Sequence, residues 1–390
     1  MTASSACGRH ARLAVLVAIA AALIACGGQR PAGPALDHER RARLQAVLDG
    51  YVRGKIPGAT LAAAFPDGRV LSLAAGFADP QARSAMRPDD RMLAGSVGKT
   101  FFAAVLLQLV GEGRVALDEP IQTYLRAAPW IATQPAADRV TARMLLEHTS
   151  GYPAFDEPFM RALIDEPRRD RTHEERLRPL FDQPPLAAPG EKFAYTDLNY
   201  ILVGELIEAV TGEDAYAQIR RRLLAPLALA HTDPSDRAQL PGLVPGFAGQ
   251  GNPFGGDRMI RDGALVLNPQ FEWGGGGFVS TAPDLARWVL AFCTGKAFPR
   301  ALWTEVATGV SAPDLGKGAR SGLGIEIFAT PAGTAYGHGG FFPGYVSHVK
   351  WYGRSQIALA IQVNTSADDA FARPVAEVLD DAALALEAIH

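Results

Sequence analysis

Ser96-Val97-Gly98-Lys99 sets a hydroxyl and an amine three positions apart. In a helix, positions i and i+3 share a face, so the two groups can come within hydrogen-bond reach. A Ser hydroxyl is a weak nucleophile until a neighbouring base takes its proton, and a partly buried amine can do so once its pKa falls. At a helix start, unpaired backbone N–H groups also point towards a developing oxyanion. The overlapping Gly98-Lys99-Thr100 has the form of the tail of a phosphate-binding loop. That loop needs a Gly five residues before its Gly-Lys pair so that backbone amides can wrap the phosphates. Leu93 stands there, Gly95 is two residues out of place, and "MRPDDRML" supplies no apolar strand ahead of it. The hydroxyl–amine pair is the better reading, yet it is weak alone: 13 Ser and six Lys in 390 residues give roughly 0.2 such pairs by chance.

Two further elements strengthen it. "FAYTDLNYILVGELIEAVTG" places Tyr195-Thr196-Asp197 just before an apolar helix, and "YGHGGFFPGYVSHVKW" places His338-Gly339-Gly340 between two strand patterns. "LLEHTSGYP" and "GGGGFVSTAPDLARW" accompany them. Together, in this order, these stretches resemble the penicillin-recognising serine hydrolases related to class C β-lactamases, a family that also contains D-Ala-D-Ala carboxypeptidases, D-amino-acid amidases and esterases. The resemblance runs from about residue 40 to the C-terminus.

The resemblance implies a role for each matching position. Ser96 would be the nucleophile that forms an acyl-enzyme, and Lys99 would polarise it and hold a positive charge in the cleft. Tyr195 would shuttle the proton from Ser96 to the leaving group, which requires Lys99 to lower the pKa of a phenol ordinarily near 10. The oxyanion would lie between the N–H groups of Ser96 and Phe341. His148 is expected to be a structural cap rather than a base.

Two departures bear on the substrate. The family's second motif usually ends in Asn, which both donates and accepts; Asp197, when ionised, only accepts. A carboxylate there would also favour the ammonium form of Lys99. True β-lactamases typically carry Lys-Thr-Gly in the third motif, where His338 would be a weaker, pH-dependent cation and Gly339 has no hydroxyl. Asp197, His338, Gly339, Gly340 and Phe341 are therefore the candidate substrate-contacting positions. The substitutions tilt the expectation towards an esterase or a D-amino-acid amidase or peptidase, with a class C-like β-lactamase or a D,D-carboxypeptidase as the alternative. A non-enzymatic binding lipoprotein of the envelope would have no reason to keep Ser96, Lys99 and Tyr195 together.

The elements that must position these groups are legible in outline. Leu44, Val47, Leu48 and Tyr51 recur at helical spacing, and "ATLAAAF" and "RVLSLAAGF" around "PDG" predict a hairpin over 59–77. "SVGKTFFAAVLLQLVGEG" is apolar nearly all round, the mark of a buried helix. Near the C-terminus, a helix capped by Thr281 precedes the strand-like runs "GLGIEIF", "TAYGH", "YVSHVKWY" and "QIALAIQV" and a final amphipathic helix from about 371. Strands at both ends with helices between them predict an α+β fold: an antiparallel sheet built from both chain ends and flanked by helices, with an inserted, mainly helical domain. The expected division is an α/β lobe of 38–115 and 275–390, with a helical lobe of 116–274. Loops 152–175 and 235–270 are expected to shape the pocket.

A net charge of −3, without a block of like charges, gives no electrostatic case for nucleic acid. The eight His show no HExxH or similarly spaced ligand pair, so no metal or other cofactor is expected, and the partner is a small-molecule or peptide substrate. Oligomeric state is not legible. Residues 13–25, "LAVLVAIAAALIA", follow Arg9 and Arg12 and suit a signal-peptide core rather than a membrane span. Leu23-Ile24-Ala25-Cys26 resembles the lipobox of bacterial lipoproteins, which implies a signal segment of 1–25, a lipidated Cys26, a tether of 26–37 and a membrane-anchored, exported protein on the periplasmic side. Gly27 after the Cys leans towards the outer membrane. Cys293 ends an apolar helical pattern and is expected in the core.

Overall fold

In the strand Ile357–Val363, successive side chains go to opposite faces, and both faces are covered. Ala358 and Ala360 pack into one apolar cluster, while Leu359, Ile361 and Val363 pack into another. That is why "IALAIQV" reads as an almost continuous apolar run without polar alternation. The computed structural model describes residues 33–134 and 136–388. The predicted signal segment, Cys26 and most of the tether lie outside them.

Among the described residues, nine antiparallel strands form the main sheet: β1 (Gly58–Ala64), β2 (Val70–Asp79), β3 (Ser84–Ala85), β4 (Val310–Ser311), β5 (Arg320–Ser321), β6 (Glu326–Thr330), β7 (Gly333–Phe342), β8 (Tyr345–Tyr352) and β9 (Ile357–Val363). Their order is β3-β2-β1-β9-β8-β7-β6-β5-β4. The first strand pairs with the last, Ala59 opposite Val363 and Ala64 opposite Ala358, so the two ends of the chain close one sheet. β3, β4 and β5 have two residues each, too short to leave an alternating pattern in the sequence.

Five longer helices flank or support this sheet: α1 (Pro34–Val52), α2 (Lys99–Gly111), α3 (Asp197–Thr211), α4 (Ala282–Cys293) and α5 (Val375–Glu387). Leu44 and Leu48 of α1 and Val378, Leu379 and Ala382 of α5 bury against one face of the sheet. Phe101 of α2 and Trp288 and Val289 of α4 share the second cluster with Ala358 and Ala360. Burying a side chain of this size contributes about 1.5–3 kcal/mol each, enough to offset the entropy of ordering it. Phe101 stacks on Trp288 with centroids 4.1 Å apart, and the indole Nε1–H donates to Thr100 Oγ1 at 2.6 Å, so the buried ring keeps no orphan donor. Cys293 is fully buried at the end of α4. Thr281 caps α4 by accepting from the N–H of Asp284 at 3.4 Å.

Between α2 and α4 the chain makes α3 and several short helices, among them Ala142–Leu146, Glu157–Asp165, His173–Leu177 and Ala215–Ile219. Ahead of α2, Met92–Leu93 pairs with Phe278–Ser280 in a small separate sheet. That pairing fixes the approach of the chain to Ser96.

Candidate active site

Ser96 lies in a tight 3-10 turn, Gly95–Gly98, that runs straight into α2. The sequence pattern pointed to an α-helix starting at Ser96. The 3-10 turn brings the pair closer still, because with three residues per turn i and i+3 eclipse. Lys99 Nζ donates to Ser96 Oγ at 2.9 Å. It also donates to Asp197 Oδ1 at 2.5 Å, in the first turn of α3, and to the carbonyl of Gly275. An ammonium has three N–H groups, and all three are engaged. Burial of Lys99 opposes its charge, but Asp197 and Tyr195 outweigh it and hold the ammonium well above the ordinary lysine range. Lys99 is a fixed cation.

Tyr195 sits directly before α3, which Thr196 caps by accepting from Leu198 N–H at 3.2 Å. Its ring stacks on His148 with centroids 4.3 Å apart and lies 5.1 Å from Lys99 Nζ. Burial pushes the phenol up, interactions with Lys99 and Ser96 pull it down, Asp197 pushes it up again, and the result is about 12. The expectation that Lys99 would lower this pKa below its ordinary value is thus corrected. The cation acts in the expected direction, but removing the phenol from water costs more than one cation, itself paired with Asp197, returns.

His148 takes a left-handed backbone, φ 59°, and its Nδ1 accepts from Thr196 N–H at 3.3 Å and from Asn199 Nδ2 at 3.2 Å. Its proton therefore sits on Nε2, and burial holds the ring neutral, well below the ordinary histidine range. Ser150 Oγ donates to Asn199 Oδ1 at 2.6 Å. The stretch "EHTSG" thus fastens the Tyr195 segment to α3.

The third motif lies on β7. A Cβ on Gly340 would come within 1.9 Å of the Ala94 carbonyl oxygen and 3.2 Å of Ser96 N, and one on Gly95 within 2.5 Å of Phe341 N. Only two glycines let the strand and the 3-10 turn approach so closely, and the approach sets the backbone of Ser96 beside that of Phe341. The Phe341 side chain is 60% exposed. His338, by contrast, is buried under Tyr195, ring centroids 6.4 Å apart, with Nδ1 2.6 Å from the Gly339 carbonyl. Burial, then the charge of Lys99, push its pKa down to about 4. The sequence suggested a pH-dependent cation at this position; burial instead favours the neutral ring down to about pH 4. Gly339 faces His348 on β8, and a Cβ there would stand 2.7 Å from His348 Cε1. A Thr at this place needs His348 to move.

A cleft of about 840 Å³ opens beside Tyr195, lined by Leu186, Lys192, Phe193, Val310 and Pro313 among others. Segments 186–195 and 310–314 shape this cleft, and Tyr195 is the candidate catalytic residue that lines it. Among the described residues no group of His, Cys, Asp and Glu is arranged to hold a metal ion.

Buried Lys99 thus meets the partly exposed Ser96 beside Tyr195, against a glycine-rich strand. Residues 41–384 match the Beta-lactamase family. The chain belongs to that family. Like its relatives it is a serine hydrolase. Esterase EstB of Burkholderia gladioli is 27% identical to it, over 88% of this chain and 95% of the esterase. A D-aminopeptidase of Brucella anthropi is 27% identical over 77% of this chain but only 55% of its own length. The crystal structure of a D-stereospecific amidohydrolase from Streptomyces sp. superposes with a TM-score of 0.71 at 27% identity, covering 83% of this chain and 94% of that one.

Three members of the site escaped sequence reasoning. The Gly275 carbonyl belongs to "WGGGG", where the run of glycines signalled close backbone approach but not what approached. Glu272 is half-buried, with its Oε2 shielded from solvent, and desolvation pushes its carboxyl up to about 8, with Asp197 pushing the same way and Lys99 opposing. Glu326 is buried on β6, where a lone acid inside the apolar run "GLGIEIF" was the available signal.

Proposed function

We propose that this member of the Beta-lactamase family cleaves a carboxylic ester or a D-amino-acid amide through an acyl group carried on Ser96. The observation that carries the reading is the 2.9 Å contact of Lys99 Nζ with Ser96 Oγ, made by an ammonium whose other two donors are tied to Asp197 and Gly275. In this reading Ser96 Oγ attacks the carbonyl carbon as its proton passes to the Tyr195 hydroxyl. Tyr195 gives its own proton to the leaving oxygen or nitrogen, and water then releases the acyl group. Holding Tyr195 as a phenolate at pH 7 would cost about 7 kcal/mol, five pK units at about 1.4 kcal/mol each. A turnover of about 10 per second leaves a barrier near 16 kcal/mol in all. The relay, which never isolates the phenolate, is therefore the more economical path. The backbone N–H groups of Ser96 and Phe341 would hold the oxyanion.

The third motif supports esters and amides over β-lactams. His338 is buried and neutral above about pH 4, and a hydroxyl-bearing side chain at Gly339 would have to displace His348. A β-lactam carboxylate would find no cation there. Aryl esters and D-amino-acid amides are expected to be hydrolysed far faster than benzylpenicillin, with intact-mass spectrometry reading any drug-sized adduct on the same protein. Rapid consumption of the drug would reverse the order, and a stable adduct lost in Ser96→Ala would point to a penicillin-binding peptidase.

Export and a lipid anchor at Cys26 belong to the same proposal, on the strength of Leu23-Ile24-Ala25-Cys26 after an apolar segment. Cys26→Ala should move the protein from the membrane to the soluble fraction. Unchanged partitioning would sink the anchor.

A further inference from the structure

Beside Tyr195 lies a second, smaller polar cavity that the proposed reaction does not use. Glu326 Oε2 accepts from the N–H of Gly339 at 3.2 Å, and Oε1 stands 3.9 Å from His338 Nε2. With the His338 Nδ1 proton given to the Gly339 carbonyl, Nε2 keeps its lone pair and faces Glu326 as an acceptor. An acceptor opposite a carboxylate repels it; opposite a carboxylic acid it can share a hydrogen-bonded water, the 3.9 Å separation being too long for a direct bond. On the other side, His148 Nε2–H is buried and has no hydrogen-bond partner among the described residues. His148, Tyr195, Tyr200, Ser321, Glu326 and His338 enclose a cavity of about 10 Å³. That is about the room one water needs, and the walls offer it the polar partners it requires.

We propose that Glu326 is a positioning residue: in its carboxylic-acid form it accepts from the Gly339 peptide and is joined, through one water in this cavity, to His338 and His148, so that Tyr195 and the third motif are held by one buried network. The proposal rests on the reading of Ser96, Lys99 and Tyr195 given above. The charged and titratable groups around Glu326 are His338 on β7, Lys350 on β8, Lys99 on α2, Tyr200 on α3, and His148 and Tyr195 from the loops before α3. Burial pushes the Glu326 carboxyl up to about 7, with the Gly339 N–H, Lys99 and Lys350 pulling less strongly downward. The network therefore loses its proton near neutrality. The sign follows from charge: the proton is present below about pH 7, and above it a buried anion faces the lone pair of His338 and opposes the negative charge that develops near Ser96.

Glu147 also titrates near 7 and Glu272 near 8, so only a change at Glu326 itself isolates the effect. Glu326→Gln keeps the shape and the acceptor for Gly339 N–H but cannot ionise. An infrared difference spectrum, wild type minus Glu326→Gln, should show a carboxylic-acid carbonyl band at pH 6 that fades as pH rises through about 7. In the same samples the ratio of wild-type to Glu326→Gln kcat on an aryl ester should be flat below the break and fall roughly five- to tenfold above it. No carboxylic-acid band at pH 6, or a band with a kcat ratio flat across the range, overturns the proposal and leaves the Ser96 reading standing. Turnover that survives Ser96→Ala overturns that reading instead, whatever the band does.

Discussion

Ser96→Ala is expected to lower kcat for any ester or amide by on the order of 10⁶-fold, the loss seen when a serine hydrolase forfeits its nucleophile. The residue gives up one oxygen and little else. Ser96 is partly exposed, so the Lys99 N–H that it accepts can turn to water, while the Asp197 and Gly275 contacts of Lys99 remain. The thermal midpoint should therefore stay close to that of the wild type, which separates lost chemistry from lost fold. Stopped-flow turnover of an aryl ester, with intact mass to detect the acyl adduct, reads the result. Activity within tenfold of the wild type, or an adduct that persists, would remove Ser96 from its proposed role.

Tyr195→Phe is expected to cost about 10²–10⁴ in kcat, the range for losing a positioned proton-transfer group, with KM changed far less. Phe keeps the ring that stacks on His148 at 4.3 Å and lies 5.1 Å from Lys99 Nζ, so packing survives and only the hydroxyl goes. Lys99 cannot take over. Its three donors are occupied and its ammonium is held above the ordinary range, so it has no free lone pair to accept the Ser96 proton. If Tyr195 relays as a neutral phenol near 12, the wild-type kcat should show no break from it between pH 5 and 10. A loss under tenfold in Tyr195→Phe would return the base to Lys99 and call for a proton shift from Lys99 to Asp197. Measuring kcat and KM separately across that pH range decides between the two.

Residue order along the chain determined a good deal of this protein. Apolar runs at both ends and helical patterns between them were enough for an antiparallel sheet flanked by helices, because strands buried on both faces read as short unbroken apolar runs while helices keep their 3.6-residue period. The spacing of Ser96 and Lys99 was enough to bring them together, since three positions make one turn of either helix type. Capping residues such as Thr281 and Asp284 placed a helix start near Thr281, where the structure has it, because a cap is a local hydrogen bond. The two-residue strands β3, β4 and β5 left no such trace.

What only the tertiary structure decided were the states of charge and the shape of the pocket. His338 read as a cation in waiting, and burial beneath Tyr195 makes it neutral. Tyr195 read as a phenol drawn down by Lys99, and desolvation raises it instead. Gly339 read as a missing hydroxyl, and His348, which faces it across the strand pair, is what fills the space. Glu326, some 230 positions from Ser96 along the chain, arrives at the back of the site through sheet pairing alone. A residue's type sets its ordinary pKa and size. How far it is taken out of water, and which charges and backbone surround it there, depend on contacts between segments that share no local pattern.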